Sequence, residues 1–152
     1  MNYILDTNIL ILLVKSKSFS SFFREKYIQD SENRFSYTHI SLGELSSITR
    51  QNQWGKPKLT ALNQILKGFN LIKANSIPII NNYGIIDAYS QGKLKEKPLP
   101  KGISARNMGK NDLWIAASAM ASKATLLTTD KDFEHLHNEF INIEVIDIAL
   151  FY

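Results

Sequence analysis

Apolar residues fall along the chain in short bursts that end on polar or acidic residues, and their spacing predicts strands alternating with helices. Asn2-Tyr3-Ile4-Leu5 is one such run; it stops at Asp6, after which Thr7 or Asn8 can cap a helix carrying Ile9, Leu10, Leu12 and Leu13. The pattern returns at Phe35-Ser36-Tyr37-Thr38, followed by Ser41-Leu42-Gly43-Glu44, whose serine and glutamate stand three apart as in a helix-opening capping box. From Lys58 to Phe69, the residues Leu59, Leu62, Ile65, Leu66 and Phe69 keep helical spacing, whereas Ile77 to Ile80 reads as a short strand interrupted by Pro78. Gly92, Pro98, Pro100, Gly102 and Gly109 mark residues 93–110 as a loop. Asn111-Asp112 then opens a helix with Ile115, Ala116, Ala119 and Met120 on one face. Ala124 to Thr128, followed by Asp130, and Ile143 to Ile148 read as the closing strands. This alternation predicts an α/β domain with a largely parallel sheet, because parallel neighbours need helical crossovers. In such sheets ligands bind beyond the carboxyl ends of the strands.

A length of 152 residues predicts one domain over 1–152. The 44% hydrophobic and 21% charged content is that of a chain with a folded core. Cysteine is absent, which excludes a disulfide framework, a thiolate nucleophile and a sulfur-ligated zinc or iron site. The longest apolar stretch, Ile9 to Val14, is too short to cross a bilayer, and Asp6 stands ahead of it where a secretory signal wants positive charge. A cytoplasmic location without a membrane partner is therefore expected. The net charge of +4 matters through its placement: within residues 93–110, Lys93, Lys95, Lys97, Lys101, Arg106 and Lys110 face the single acid Glu96. Such a segment is either a flank for phosphates or a solvated lysine-rich loop.

Asp6, Glu44, Asp112 and Asp130 share a placement, since three follow a predicted strand and the fourth opens a helix on the same side. Each also has a local explanation. Asp6 can cap the first helix, Glu44 can complete the capping box, Asp112 can complement its helix dipole, and Asp130 can turn the chain. If all four converge, like charges at about 4 Å repel by about 4 kcal/mol per pair at an effective dielectric near 20, and protons or a cation must offset that. Oxygen donors without cysteine point to Mg²⁺ or Mn²⁺, which complete their shells with water and phosphate oxygens.

Four blocks carry a likeness to a known family: Asp6-Thr7-Asn8, Glu44 within Ser-Leu-Gly-Glu-Leu, Asn111-Asp112-Leu113-Trp114-Ile115-Ala116-Ala117, and Thr128-Thr129-Asp130-Lys131-Asp132-Phe133. Together they resemble the signature blocks of PIN-domain ribonucleases, above all the VapC-type toxins of bacterial toxin–antitoxin pairs. The likeness runs from Met1 to about Phe133, the block from Asn111 to Ala117 being the most specific. It implies a three-layer α/β/α PIN-like domain around a central, mostly parallel sheet, and an Mg²⁺- or Mn²⁺-dependent endoribonuclease. Asp6, Glu44, Asp112 and Asp130 would form the acidic set, with Asp6 and Asp112 nearest the metal and Glu44 and Asp130 completing the site. Asn8 and Thr128 would orient those carboxylates, and Asp132 would stabilise its turn or join the set. The resemblance also implies an RNA substrate, a small antitoxin and a second copy of the chain as partners. Arg106 and Lys110 lie within six residues of Asp112 and are the foremost candidates for RNA contact, although the loop before Asn111 is longer and more basic than the family pattern.

Other readings stay open at this point. A catalytically silent RNA-binding or scaffold module would keep the same fold. A dehalogenase-like phosphatase would need an aspartate two residues after Asp6, where Asn8 stands. His135 and His137 are two apart and diverge on a helix, so they are expected to pack rather than to bind a metal. His39 and Trp54 are expected to be structural. Phe19, Phe22 and Phe23 present more apolar surface than one sheet face obviously hides, which fits either the core or a partner surface.

Overall fold

The computed structural model describes residues 1–152. β1 (Asn2–Leu5) leads into α1 (Thr7–Lys15) and α2 (Lys17–Phe23), and α2 runs on through a wider helical turn over Arg24–Ile28. β2 (Arg34–Thr38), α3 (His39–Gln51), α4 (Lys56–Lys67), β3 (Asn70–Ile72) and α5 (Ile77–Ser90) follow. A long loop then leads to α6 (Lys110–Ser122), β4 (Thr125–Thr128) and β5 (Ile143–Val145), with short 3₁₀ turns over Lys131–Leu136 and Ile148–Phe151.

The strands form one sheet in the order β3-β2-β1-β4-β5, and every pairing is parallel. Side chains alternate across this sheet, as the two-residue period requires. Ile4 and Leu126 point to the face covered by α5 and α6, whereas Tyr3, Leu5 and Leu127 point to the face carrying α1, α2 and Leu62 of α4. Each face thus has its own apolar core, giving three α/β/α layers. Small residues let α6 lie close on the sheet: Ala116, Ala117 and Ala119 are fully buried. Phe19 and Phe23 are buried in the second core and Phe22 packs against it, so much of the aromatic surface of α2 is spent inside the molecule. Trp54 is buried too, with the Lys58 ammonium 5.8 Å from its ring centre. No helix is long and apolar enough to cross a membrane.

Several expected elements differ. Ile77 to Ile80 is the first turn of α5 rather than a strand. Pro78 lacks only an N–H that has no partner in a first turn, so it starts a helix as readily as it interrupts a strand. β3 was hidden because it is a three-residue edge strand whose Leu71 is exposed. β5 ends at Val145, and Asp147 caps the turn that follows. No capping box forms at Ser41 and Glu44: α3 starts earlier, with the Thr38 hydroxyl accepting from the Ser41 N–H at 3.2 Å.

α6 ends on Lys123 with φ 50° and ψ 39°, a left-handed conformation that crowds a Cβ. Lys123→Gly is therefore expected to raise unfolding free energy by about 0.5–1 kcal/mol, the relieved strain exceeding the entropy added to the unfolded chain. Urea denaturation checks this, and a destabilised variant would contradict it.

Candidate active site

The strand order reverses on either side of β1: the chain first moves outward through β2 and β3, then returns to place β4 on the other flank. A parallel sheet opens a crevice at the carboxyl ends of its strands at such a point. Asp6 directly follows β1, and Asp130 lies just beyond the end of β4.

Asp6 is 5% exposed and caps α1. Its Oδ1 accepts from the Thr7 N–H and its Oδ2 from the Thr128 hydroxyl, both at 2.7 Å. The same Thr128 oxygen accepts from the Asp130 N–H at 3.0 Å, so one side chain at the end of β4 fixes the spacing of two acids. Asp130 Oδ1 in turn accepts from the Asp132 N–H at 2.8 Å and caps the 3₁₀ turn.

Glu44 lies on the second turn of α3, where its Oε1 accepts from the Thr7 hydroxyl at 2.7 Å. A hydroxyl has one proton and an ionised carboxylate only accepts. The Thr7 hydroxyl also points as a donor at Ser41 Oγ, 3.0 Å away, so its one proton is shared between the Glu44 carboxylate and Ser41. Thr7 does what was expected of Asn8. Asn8 is exposed and hydrogen-bonds to none of the acids, because the next position on a helix points about 100° away.

Asp112 occupies the first turn of α6, facing Gly109. A Cβ built on Gly109 would lie 3.2 Å from Asp112 Oδ2, so the glycine leaves the carboxylate its place. Burial first, then the charges of Asp6, Asp130, Glu44 and Asp132, push the Asp112 carboxyl up to about 6. Burial likewise pushes Asp6 up to about 6, against the Thr128 and Thr7 hydrogen bonds, which lower it, and with Glu44 and Asp130 raising it further. Asp6 and Asp112 therefore both feel the charges of Glu44 and Asp130 across one crevice.

Two hollows flank Asp112. One of about 360 Å³ is lined by Glu44, Gly109, Lys110, Asn111 and Asp112. The other, of about 310 Å³, is lined by residues 104–109, Asp112 and Asp132. A third hollow of about 350 Å³ lies at the opposite, amino end of β4, around Lys123 and Ala124, away from the crevice. Chemistry rather than size distinguishes the two at Asp112. Lys110 and Arg106 each line one of them, which brings these two basic residues of the loop to the acids. Lys97 instead pairs with Glu139 at 2.8 Å.

The histidines stand elsewhere. His135 is buried against Ser90, His39 Nδ1 accepts from the Ala74 N–H, and His137 Nδ1 accepts from the Ile143 N–H. What remains in the crevice is an all-oxygen donor set, in which Asp6 and Asp112 hold their protons more tightly than usual, and that fits a hard divalent cation. No three carboxylates or imidazoles stand together as a ready-made ligand group.

The family model described as "PIN domain" matches residues 3–139. No curated protein is significantly similar in sequence. Among solved structures, the chain resembles VapBC2 from Rickettsia felis bound to a DNA fragment from their promoter, at 24% identity and a TM-score of 0.73, over 97% of this chain and 100% of that one. It also resembles VapBC-1 from nontypeable Haemophilus influenzae, at 25% identity and a TM-score of 0.70, over 95% and 98%. A third is VapBC-5 from Mycobacterium tuberculosis, of a family of toxin–antitoxin systems, at 18% identity and a TM-score of 0.56, over 95% and 97%.

Proposed function

Because the chain belongs to the PIN domain family, we propose that it is a metal-dependent endoribonuclease, a single domain over 1–152 acting in the cytoplasm as the toxin of a toxin–antitoxin pair. The observation that carries this reading is the buried Asp6 carboxyl, held by Thr7 and Thr128 at the strand-order reversal and raised to about 6 in a crevice it shares with Glu44, Asp112 and Asp130. A structural cap would need neither the burial nor the company of three more acids.

Asp6 and Asp112 are the residues that would hold Mg²⁺ or Mn²⁺, with Glu44 and Asp130 completing the set. When bound, such an ion supplies Lewis acidity, drawing charge from a phosphodiester oxygen and acidifying adjacent water. The side chains of this protein do the positioning. Thr7 and Thr128 aim the carboxylates of Glu44 and Asp6, and Thr128 also holds the Asp130 backbone, the kind of outer support that metal ligands commonly need. Lys110 and Arg106 stand one on each side of Asp112 where they can contact the RNA, Lys110 in the hollow that suits the phosphate backbone. Hydrolysis by water breaks the P–O3′ bond and leaves a 5′-phosphate and a 3′-hydroxyl, so no nucleophile from the protein is needed. The toxin role rests on the likeness to VapBC proteins, and it brings a small antitoxin and a second copy of the chain as proposed partners.

Purified protein is expected to cut an unstructured RNA with Mg²⁺ or Mn²⁺ and to stop when EDTA is added, the fragments carrying 5′-phosphates. Cleavage that persists in EDTA would overturn the metal-dependent reading. RNA binding without cleavage under any metal would favour the silent module instead.

A further inference from the structure

The 310 Å³ hollow beside Asp112 has walls from two separate segments, the loop residues 104–109 and the turn carrying Asp132. Both are tied to one fully buried residue, Ser90 at the end of α5. The Ser90 carbonyl accepts from the Arg106 N–H at 2.7 Å, and its hydroxyl lies 3.4 Å from Met108 Sδ. On the other side the same hydroxyl lies 2.7 Å from His135 Nε2, within the 3₁₀ turn that also holds Asp132. The hollow is thus built in advance by the core. Its loop wall also has unused polarity: the backbone N–H groups of Ser104, Ala105, Asn107, Met108 and Gly109 donate to nothing in the protein.

Charge decides what such a hollow can take. Asp112 and Asp132 place two carboxylates there against the single guanidinium of Arg106, which disfavours a phosphate and favours a neutral group with hydrogen-bond donors. The hollow on the far side of Asp112 carries Lys110 and suits the phosphate backbone better. Met108 offers a soft apolar surface and Arg106 a planar one, and both suit the face of a base. Among the four bases only guanine presents two adjacent donors on its Watson–Crick edge, N1–H and N2–H₂, matching the two oxygens of one carboxylate. Adenine, cytosine and uracil each set an acceptor beside their donor.

From this geometry we infer that the hollow is a subsite for an unpaired guanine base, with the Asp132 carboxylate accepting from N1–H and N2–H₂ and Arg106 and Met108 lying against the ring. The subsite selects where an RNA is cut, and so rests on the ribonuclease reading above. Single-stranded or looped RNA is the matching substrate, since only there is the Watson–Crick edge exposed.

The test compares wild type with Asp132→Asn on labelled unstructured RNAs that differ at one position, carrying guanine, inosine or adenine. For wild type, kcat/KM is expected to be highest with guanine, lower with inosine, which lacks the N2 amino group, and lower again with adenine. The guanine-to-adenine ratio is expected to fall about tenfold in Asp132→Asn, in line with losing one bidentate base contact. A variant that loses activity with its ratio unchanged would overturn the subsite and make Asp132 a member of the metal-facing set. So would a wild type indifferent to the base. Binding of the same labelled oligomers in EDTA, read by fluorescence anisotropy, separates the two ideas. A wild type that prefers guanine in binding but cuts no RNA would sink the nuclease and keep the subsite.

Discussion

Asp6→Asn is expected to abolish cleavage and, in the same molecule, to make the metal-free protein more stable at neutral pH. The loss of activity should exceed the 10–100-fold typical of removing an outer-shell partner, because Asp6 is proposed to face the metal itself. The gain in stability follows from its buried carboxyl, raised from 3.8 to about 6. A folded-state value above the unfolded one means that the folded protein holds the proton more tightly. Ionising Asp6 therefore destabilises the fold progressively as pH rises from about 4 to about 6, and fully above that. About 1.4 kcal/mol per pH unit makes the penalty on the order of 3 kcal/mol at pH 7.5, with none below about pH 4.

Asparagine keeps the shape and the oxygen that accepts from Thr7 and removes the charge, while its amide NH₂, a donor, replaces the Oδ2 that accepts from the Thr128 hydroxyl and takes part of the gain back. Urea denaturation in EDTA should find Asp6→Asn more stable than wild type by up to about 3 kcal/mol at pH 7.5 and nearly equal to it at pH 4. Added Mg²⁺ should narrow the gap at pH 7.5, since a ligand that binds only the folded wild type stabilises it by mass action. A variant less stable than wild type at pH 7.5 would mean that the hydrogen bonds Asp6 accepts outweigh the cost of burying its charge. The pairing of lost activity with gained stability is the signature of a charge kept buried for function.

What could be read ahead of the structure follows from how local each signal is. β1, β2 and β4 announce themselves because an apolar run ends abruptly at Asp6, at Thr38 and shortly before Asp130, and burial on both faces of a central strand demands such runs. Asp6, Asp112 and Asp130 are visible for the same reason, since each lies at or just past an element end, whereas Glu44 lies inside α3. Their supporting residues were harder to find. Thr7 and Asn8 are adjacent polar residues in the same first turn, and only the position of α3 decides that Thr7 reaches Glu44. The Ser41–Glu44 spacing imitates a capping box although Thr38 starts the helix, because a sequence three apart cannot report that the glutamate is drawn instead to another element. α5 is apolar on several sides, with Ile79 and Ile86 buried and Ile77, Ile80 and Ile85 exposed, so it shows no helical stripe and its first turn resembles a strand. Ser90 and His135, 45 residues apart, meet only through the packing of α5 against the 3₁₀ turn.

Phe133→Ala is expected to carry the largest cost to stability, about 3–5 kcal/mol. Phe133 is fully buried, in the core formed by Ile4, Leu126, Ile143 and Tyr89. It sits on the 3₁₀ turn between Asp130, which caps that turn, and His135, which links it to Ser90. Removing the ring leaves a cavity whose far walls are strands of a continuous parallel sheet, and these cannot collapse inward without breaking their ladders. The turn is the softer wall, held by short 3₁₀ hydrogen bonds, so it is the side that gives. Relaxation there reduces the cavity but moves Asp130 and Asp132 relative to Asp6, which stays tied to Thr128 on β4. Out of the roughly 5–15 kcal/mol typical of a domain, any starting stability above about 5 kcal/mol leaves the variant folded at 25 °C. The folded variant should therefore melt at least about 6 °C lower, at about 2–4 °C per kcal/mol for a chain of this length, and cut RNA more slowly even where it is fully folded. A cost below about 1 kcal/mol would show that the turn closes the gap freely, and that the rigidity assigned to the Asp130 side of the crevice comes from Thr128 alone.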